Sequence, residues 1–201
     1  KNLAGAFWQP RLVLMDPSVL GTLEDHAFSD GMAEVIKYGC IFDADFYSFL
    51  EQRPSRDQVM AEIEHVLYTC CDLKRRVVLE DERDTGARML LNFGHTLGHA
   101  YELAGRYETW THGQAVAAGM VKAARLGTAL GVTPEGTAER IGVLLGCFGL
   151  PLEIPCTAEE YAAAVGLDKK GAGRDISVIL LEEIGRAAAR KMPKAELLAL
   201  L

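Results

Sequence analysis

Three of the chain's five histidines fall between residues 95 and 112, in a stretch that also holds an arginine and an asparagine. His95 and His99 are four apart, so on a helix they share one face about one turn apart. His112 opens a later apolar segment that can fold back to the same place. Arg88 and Asn92 precede His95 and His99 by seven residues each, on or near the same helical face. Imidazoles, a guanidinium and a carboxamide facing one way describe a polar pocket, where a core stripe would carry Leu, Ile or Val.

The HxxxH pair suits two ligands on one zinc ion, and equally a pair of hydrogen-bonded helix histidines. A glycine precedes each of them, Gly94 and Gly98. Glycine in a helix costs about 1 kcal/mol relative to alanine, so two of them point to a ligand or a backbone pressed close. Glu34, between Met32-Ala33 and Val35-Ile36, has two readings. It is a surface pair with Lys37 three residues on, or an anionic ligand completing a two-histidine, one-carboxylate set with positions left open for substrate. Lys37, Lys74, Arg88, Lys169 and Lys170 are ordinary solvated cations singly. As a set beside imidazoles they suit an anionic substrate carrying carboxylate or phosphate. His26 and His65 read as structural or exposed.

Composition narrows the classes. The chain has 201 residues, 49% of them hydrophobic, enough for one well-filled core or two small ones. A net charge of −7 argues against a general nucleic-acid surface. No apolar run is long enough to span a bilayer. The five cysteines are scattered and none forms a CxxC, which reads as reduced core-filling thiols in a cytoplasmic protein rather than a thiolate zinc site. The opening Lys1-Asn-Leu-Ala-Gly-Ala-Phe7 reads as the interior of a longer polypeptide.

The elements that must position these residues are mostly helical. Arg11–Met15, bounded by Pro10 and Asp16, predicts a short strand. Ser29 or Asp30 is the expected cap of a helix through Tyr38, and a second helix covers Ala44–Gln52. Residues 57–79 carry one long amphipathic pattern, 88–104 form the histidine helix, and an Ala- and Gly-rich helix runs from Thr111 to Leu130. Thr133-Pro134 is the expected start of a helix to Leu145, and Thr157 that of a short one to Val165. Ile176–Leu181 followed by Arg186–Arg190 allows a late hairpin, with its second strand weakened by alanines, and 193–201 read as helix. The fold class is therefore mainly α.

Several of these stretches together resemble the C-terminal part of the 3-dehydroquinate synthase family, within the sugar phosphate cyclases. They are Lys1–Pro10, Gly31-Met-Ala-Glu-Val-Ile-Lys-Tyr-Gly39, the block from Lys74 through Asp81-Glu82 and Gly86 to Arg88, Leu91-Asn-Phe-Gly-His-Thr-Leu-Gly-His-Ala-Tyr-Glu102, His112-Gly-Gln-Ala-Val116 and Asp168-Lys-Lys170, in the family's order. The resemblance implies that Glu34, His95 and His112 are zinc (or cobalt) ligands, and that His99 lies near the substrate phosphate instead. It implies that Lys37, Lys74, Arg88 and Asn92 contact carboxylate and hydroxyls, that Lys169 or Lys170 meets phosphate, and that Asn2 contacts substrate at a domain junction. By the same resemblance, residues 1–16 are the junction with a nucleotide-binding domain absent here, and 17–201 are the helical metal- and substrate-binding domain. The implied reaction is NAD- and zinc-dependent conversion of 3-deoxy-arabino-heptulosonate 7-phosphate to 3-dehydroquinate and phosphate, by an enzyme that is often a homodimer. A chain without the NAD domain is then expected to be inactive. Gln114 departs from the family, where Glu is common. Two other readings are a cyclase of the inosose or valiolone type and a non-catalytic helical scaffold.

Overall fold

The structure, a computed structural model, describes residues 8, 10–82, 86–166 and 174–201. Its elements, in chain order, are α1 (Asp25–Phe42), α2 (Ala44–Glu51), α3 (Arg56–Ala61), α4 (Ile63–Glu80), α5 (His95–Ala104), α6 (His112–Ala129), α7 (Thr137–Cys147), α8 (Ala158–Ala164), β1 (Asp175–Glu183), β2 (Arg186–Pro193) and α9 (Lys194–Leu200). Short 3₁₀ turns cover Pro17–Thr22 and Ala87–Asn92.

Everything is arranged around α6. Its alanines and glycines are buried on nearly every side, the signature of a helix enclosed by others. Small residues let its neighbours come unusually close. A Cβ on Gly119 would stand 2.1 Å from the Gly94 carbonyl oxygen, and one on Gly113 would stand 2.3 Å from that of Asp30. The first contact joins α6 to the start of α5, the second joins its N-terminus to α1. These three helices carry Glu34, His95 and His112, so backbone contact fixes their separation. At the other end of α6, β1 and β2 form an antiparallel hairpin pairing Asp175 with Pro193 and Leu181 with Ala187. Alternate β1 residues face two apolar clusters: Val178 and Leu180 pack with Leu126, Met192 and Leu197, while Ile179 and Leu181 join the main core.

The late hairpin therefore forms, including its alanine-rich second strand; β1 supplies the apolar face and β2 mainly its ladder partner. The expected strand at Arg11–Met15 does not. Those residues run irregularly, with Leu12, Val13 and Leu14 exposed and no ladder partner among the described residues. A strand without a neighbour cannot satisfy its own backbone groups.

Four helix boundaries also differ from the sequence expectation. Helix α1 begins six residues before Gly31, and the side chain of Asp30, no cap, receives the Thr111 hydroxyl instead. The 57–79 pattern is split at Glu62 into α3 and α4, although Val59 and Val66 keep the spacing of one helix and no local signal marks the break. Thr133 does not cap α7. Its hydroxyl donates to the Leu181 carbonyl at 2.6 Å, and Gly136, at φ 82°, takes the cap position. Lastly, 88–104 is no single helix. Residues 87–92 form a 3₁₀ turn, Gly94 adopts φ 77°, and α5 starts afresh at His95. Arg88 and Asn92 thus do not share the histidine helix. Gly94 lies against Met120 and the Val116 carbonyl, where a side chain has neither the room nor the backbone geometry.

Of the five cysteines, Cys40 is fully buried and Cys70 and Cys156 are half-buried. Cys71 and Cys147 are exposed and not core filling, and all five are free thiols.

Candidate metal centre

Glu34 on α1, His95 at the first position of α5 and His112 at the first position of α6 converge. One potential ligand atom from each lies within 4.8 Å of the others. Glu34 Oε1 is 3.4 Å from His95 Nε2 and 3.5 Å from His112 Nε2. The two rings meet edge to face, with centroids 5.1 Å apart. Glu34 Oε1 is itself buried and has no hydrogen-bond partner. A buried carboxylate oxygen without a donor costs free energy unless something positive completes it. Two nitrogens and one carboxylate oxygen fit a divalent ion, with coordination positions left open.

The ring nitrogens that face away from this cluster are also held. His95 Nδ1 lies 3.2 Å from the Phe93 carbonyl, which can only accept, so the proton sits on Nδ1 and the lone pair is on Nε2. His112 Nδ1 lies 3.0 Å from Glu102 Oε1. Burial and the nearby Lys37 charge, against the pull of Glu34, bring His95 down to about 4, so it is neutral near pH 7 and able to ligate. Burial raises the Glu34 pKa, but His112, Lys37 and His95 together outweigh it and hold the carboxyl at about 2. His112 is raised, chiefly by Glu34 and, against burial, by Glu102.

Lys37 is buried, at 3% exposure, and its ammonium donates to Glu34 Oε2 at 2.6 Å. The pair is thus no surface salt bridge. Burial lowers the Lys37 pKa, against Glu34, and the charge of Lys74 lowers it further, which places Lys74 within electrostatic reach. Arg88 donates to the Glu82 carbonyl at 3.2 Å, and its charge reaches Tyr38 beside Lys37. Asn92, His95 and His99 line a cleft of about 280 Å³ together with Thr96, Val165, Ile176 and Ser177. His99 is 54% exposed and is not among the three converging groups. Asn2, Lys169 and Lys170 lie outside the described residues.

Sequence reasoning missed Glu102, Thr96 and Ser177. Glu102 could have been noticed as a carboxylate three residues beyond His99, on the same face. Gln114, the departure from the family pattern, is structural. Its carboxamide accepts from the Thr111 amide at 3.1 Å, and the Thr111 hydroxyl accepts from the Gln114 amide, a capping box that starts α6.

The fold is shared by 2-deoxy-scyllo-inosose synthase, solved with carbaglucose-6-phosphate, NAD+ and Co2+. That match has a TM-score of 0.81 at 27% identity, over 100% of this chain and 58% of the other. It is shared equally by 2-epi-5-epi-valiolone synthase from Streptomyces hygroscopicus, solved with NAD+ and Zn2+, at a TM-score of 0.80 and 25% identity over 100% and 57%. The class is that of the helical portion of these cyclases. Among sequences, a 3-dehydroquinate synthase of Clostridium botulinum is 47% identical over 93% of this chain and 54% of its own length. One of Streptococcus suis is 39% identical over 100% and 57%. The family model described as 3-dehydroquinate synthase C-terminal matches residues 31–171, and the chain belongs to that family. It spans about half the length of the curated relatives it matches.

Proposed function

We propose that this chain is the metal- and substrate-binding part of a 3-dehydroquinate synthase, which converts 3-deoxy-arabino-heptulosonate 7-phosphate to 3-dehydroquinate and phosphate in the shikimate pathway. The observation that carries this reading is the buried, undonated Glu34 oxygen set between two imidazole nitrogens. Glu34, His95 and His112 would hold Zn2+ or Co2+, which when bound polarises a substrate hydroxyl and lowers its pKa. NAD belongs to the nucleotide-binding half, joined through residues 1–16.

The remaining roles fall to this chain's own groups. Lys37 keeps Glu34 ionised. Lys74 and Arg88 supply positive charge for the substrate carboxylate, Asn92 meets hydroxyls, and His99, open to the cleft, meets the phosphate side together with Lys169 or Lys170. Asn2 reaches substrate from the junction. Holding a flexible sugar acid in one orientation is the larger part of this contribution. The full enzyme is cytoplasmic and, by family likeness, homodimeric.

Relatives at 39–47% identity are 3-dehydroquinate synthases, against 25–27% for the inosose and valiolone enzymes, which favours the carboxylate-bearing substrate. The test has two arms. Purified chain should bind a single equivalent of zinc or cobalt, lost on Glu34→Ala or His112→Ala; no binding above background sinks the metal reading. Joined to its nucleotide-binding half and given NAD, the protein should release phosphate and form 3-dehydroquinate, while sugar phosphates without a carboxylate react poorly. Turnover by the 201-residue chain alone would contradict the assignment of NAD to the other half.

A further inference from the structure

Glu102 is only 8% exposed, yet it carries a carboxylate among apolar neighbours on α5. A buried charge is expensive and persists where it is paired. Its two oxygens go to two different histidines. Oε1 lies 3.0 Å from His112 Nδ1, and Oε2 lies 3.8 Å from His99 Nε2. The first is a hydrogen bond; the second is within ion-pair reach only. The opposite nitrogen of His112 faces Glu34 at 3.5 Å. Both His112 nitrogens thus face carboxylates, which only accept. Glu102 is within hydrogen-bond distance of Nδ1 at 3.0 Å while Glu34 stands off Nε2 at 3.5 Å, so the neutral imidazole keeps its proton on Nδ1 and its Nε2 lone pair is left for an ion between it, Glu34 and His95.

The two histidines of the cluster are held unequally. His95 is fixed by a backbone carbonyl, that of Phe93. His112 is fixed by a side chain, and that side chain comes from the helix His95 begins. Glu102 therefore ties α5 to the first residue of α6 across the cluster, and no other side chain is hydrogen-bonded to His112 Nδ1 among the described residues.

We propose that Glu102 is a positioning residue, which fixes His112 as the Nδ1–H tautomer with Nε2 presented to Glu34 and His95 and thereby sets metal affinity. This rests on the reading that the three residues hold a metal ion. Loss of such an outer partner weakens metal binding by roughly 10- to 100-fold.

The experiment uses the full chain. Zinc affinity is measured by competition with a chromophoric chelator for the wild type, Glu102→Leu, Glu102→Gln and Glu102→Asp. The His112 tautomer is read in the metal-free protein at alkaline pH from long-range ¹⁵N–¹H correlation. The expected results are an Nδ1–H tautomer in the wild type, a mixed population in Glu102→Gln, and zinc affinity lowered roughly 10- to 100-fold in Glu102→Leu with partial recovery in Glu102→Asp. If Glu102→Leu does not fold, the near-isosteric Glu102→Gln decides alone through tautomer and affinity. Wild-type zinc binding with unchanged affinity and tautomer in Glu102→Gln and Glu102→Leu overturns the role of Glu102 and leaves the metal reading standing. Failure of the wild type to bind zinc overturns both.

Discussion

Gly119 offers a direct test of whether backbone contact between helices sets the spacing of the cluster. In Gly119→Ala the new methyl would lie 2.1 Å from the Gly94 carbonyl oxygen and 3.0 Å from the Gly98 nitrogen, both backbone atoms that no rotamer change can move. Ordinary contact begins near 3.4 Å, so α5 and α6 must part by about 1.3 Å at this point. Overpacking of this kind costs about 1–3 kcal/mol or more, while alanine returns about 1 kcal/mol of helix propensity. A 2.1 Å approach to backbone belongs at the upper end of that cost, so the net expectation is a loss of about 2 kcal/mol. Two other helical glycines calibrate it. Gly98→Ala meets the Ala115 carbonyl oxygen at 3.0 Å, so its propensity gain and its packing cost nearly cancel. Gly31→Ala meets nothing within 4 Å and should be stabilising by up to about 1 kcal/mol. Gly94 directly precedes His95, so parting the helices also draws His95 away from His112, and zinc affinity should fall in Gly119→Ala but not in Gly31→Ala. Urea unfolding followed by circular dichroism gives the stability order, and chelator competition gives affinity. Equal stability of Gly119→Ala and Gly31→Ala, or a destabilised Gly119→Ala with zinc affinity intact, would refute backbone contact as what sets the cluster's spacing.

Three further outcomes follow from the same geometry. Glu34→Gln leaves the 3%-exposed Lys37 ammonium without its carboxylate, and should cost about 3 kcal/mol, more than Lys37→Met, which removes the charge and keeps the stem; urea midpoints of the metal-free proteins compare them. His95 titrates near 4 when folded and 6.5 when free, so between those values the unfolded chain takes up a proton that the folded imidazole refuses. Metal-free wild type should therefore lose stability relative to His95→Gln as pH falls through that window, by up to about 3 kcal/mol, and parallel pH profiles would refute it. Gln114→Glu preserves the capping box and adds a charge favoured at a helix N-terminus, so stability should change by less than about 0.5 kcal/mol, whereas Thr111→Ala should cost about 1 kcal/mol in thermal or urea unfolding.

Sequence spacing reads local chemistry well and long-range convergence poorly, and the cluster shows why. HxxxH made His99 look like the natural partner of His95, because a shared helical face is all that a spacing of four can report. The three groups that do converge sit at 34, 95 and 112, on three helices, and their meeting depends on how closely α1 and α5 approach α6. That approach left a trace in the sequence. The glycines before His95 and His99 marked a backbone pressed close, and the backbone is that of α6: Val116 and Met120 against Gly94, Ala115 against Gly98. What the trace could not give was the conformation of Gly94. A positive φ there separates the 3₁₀ turn from the helix that starts at His95, which is why Arg88 and Asn92 stand outside the histidine helix. The hairpin and most helices were legible from periodicity. The strand expected at Arg11–Met15 does not form, because β-propensity without a neighbouring strand has nothing to act on. Glu102 left only a faint trace, its spacing of three from His99: as a single carboxylate near a helix end it looks like a solvated charge, and its burial between two histidines is what separates it from one.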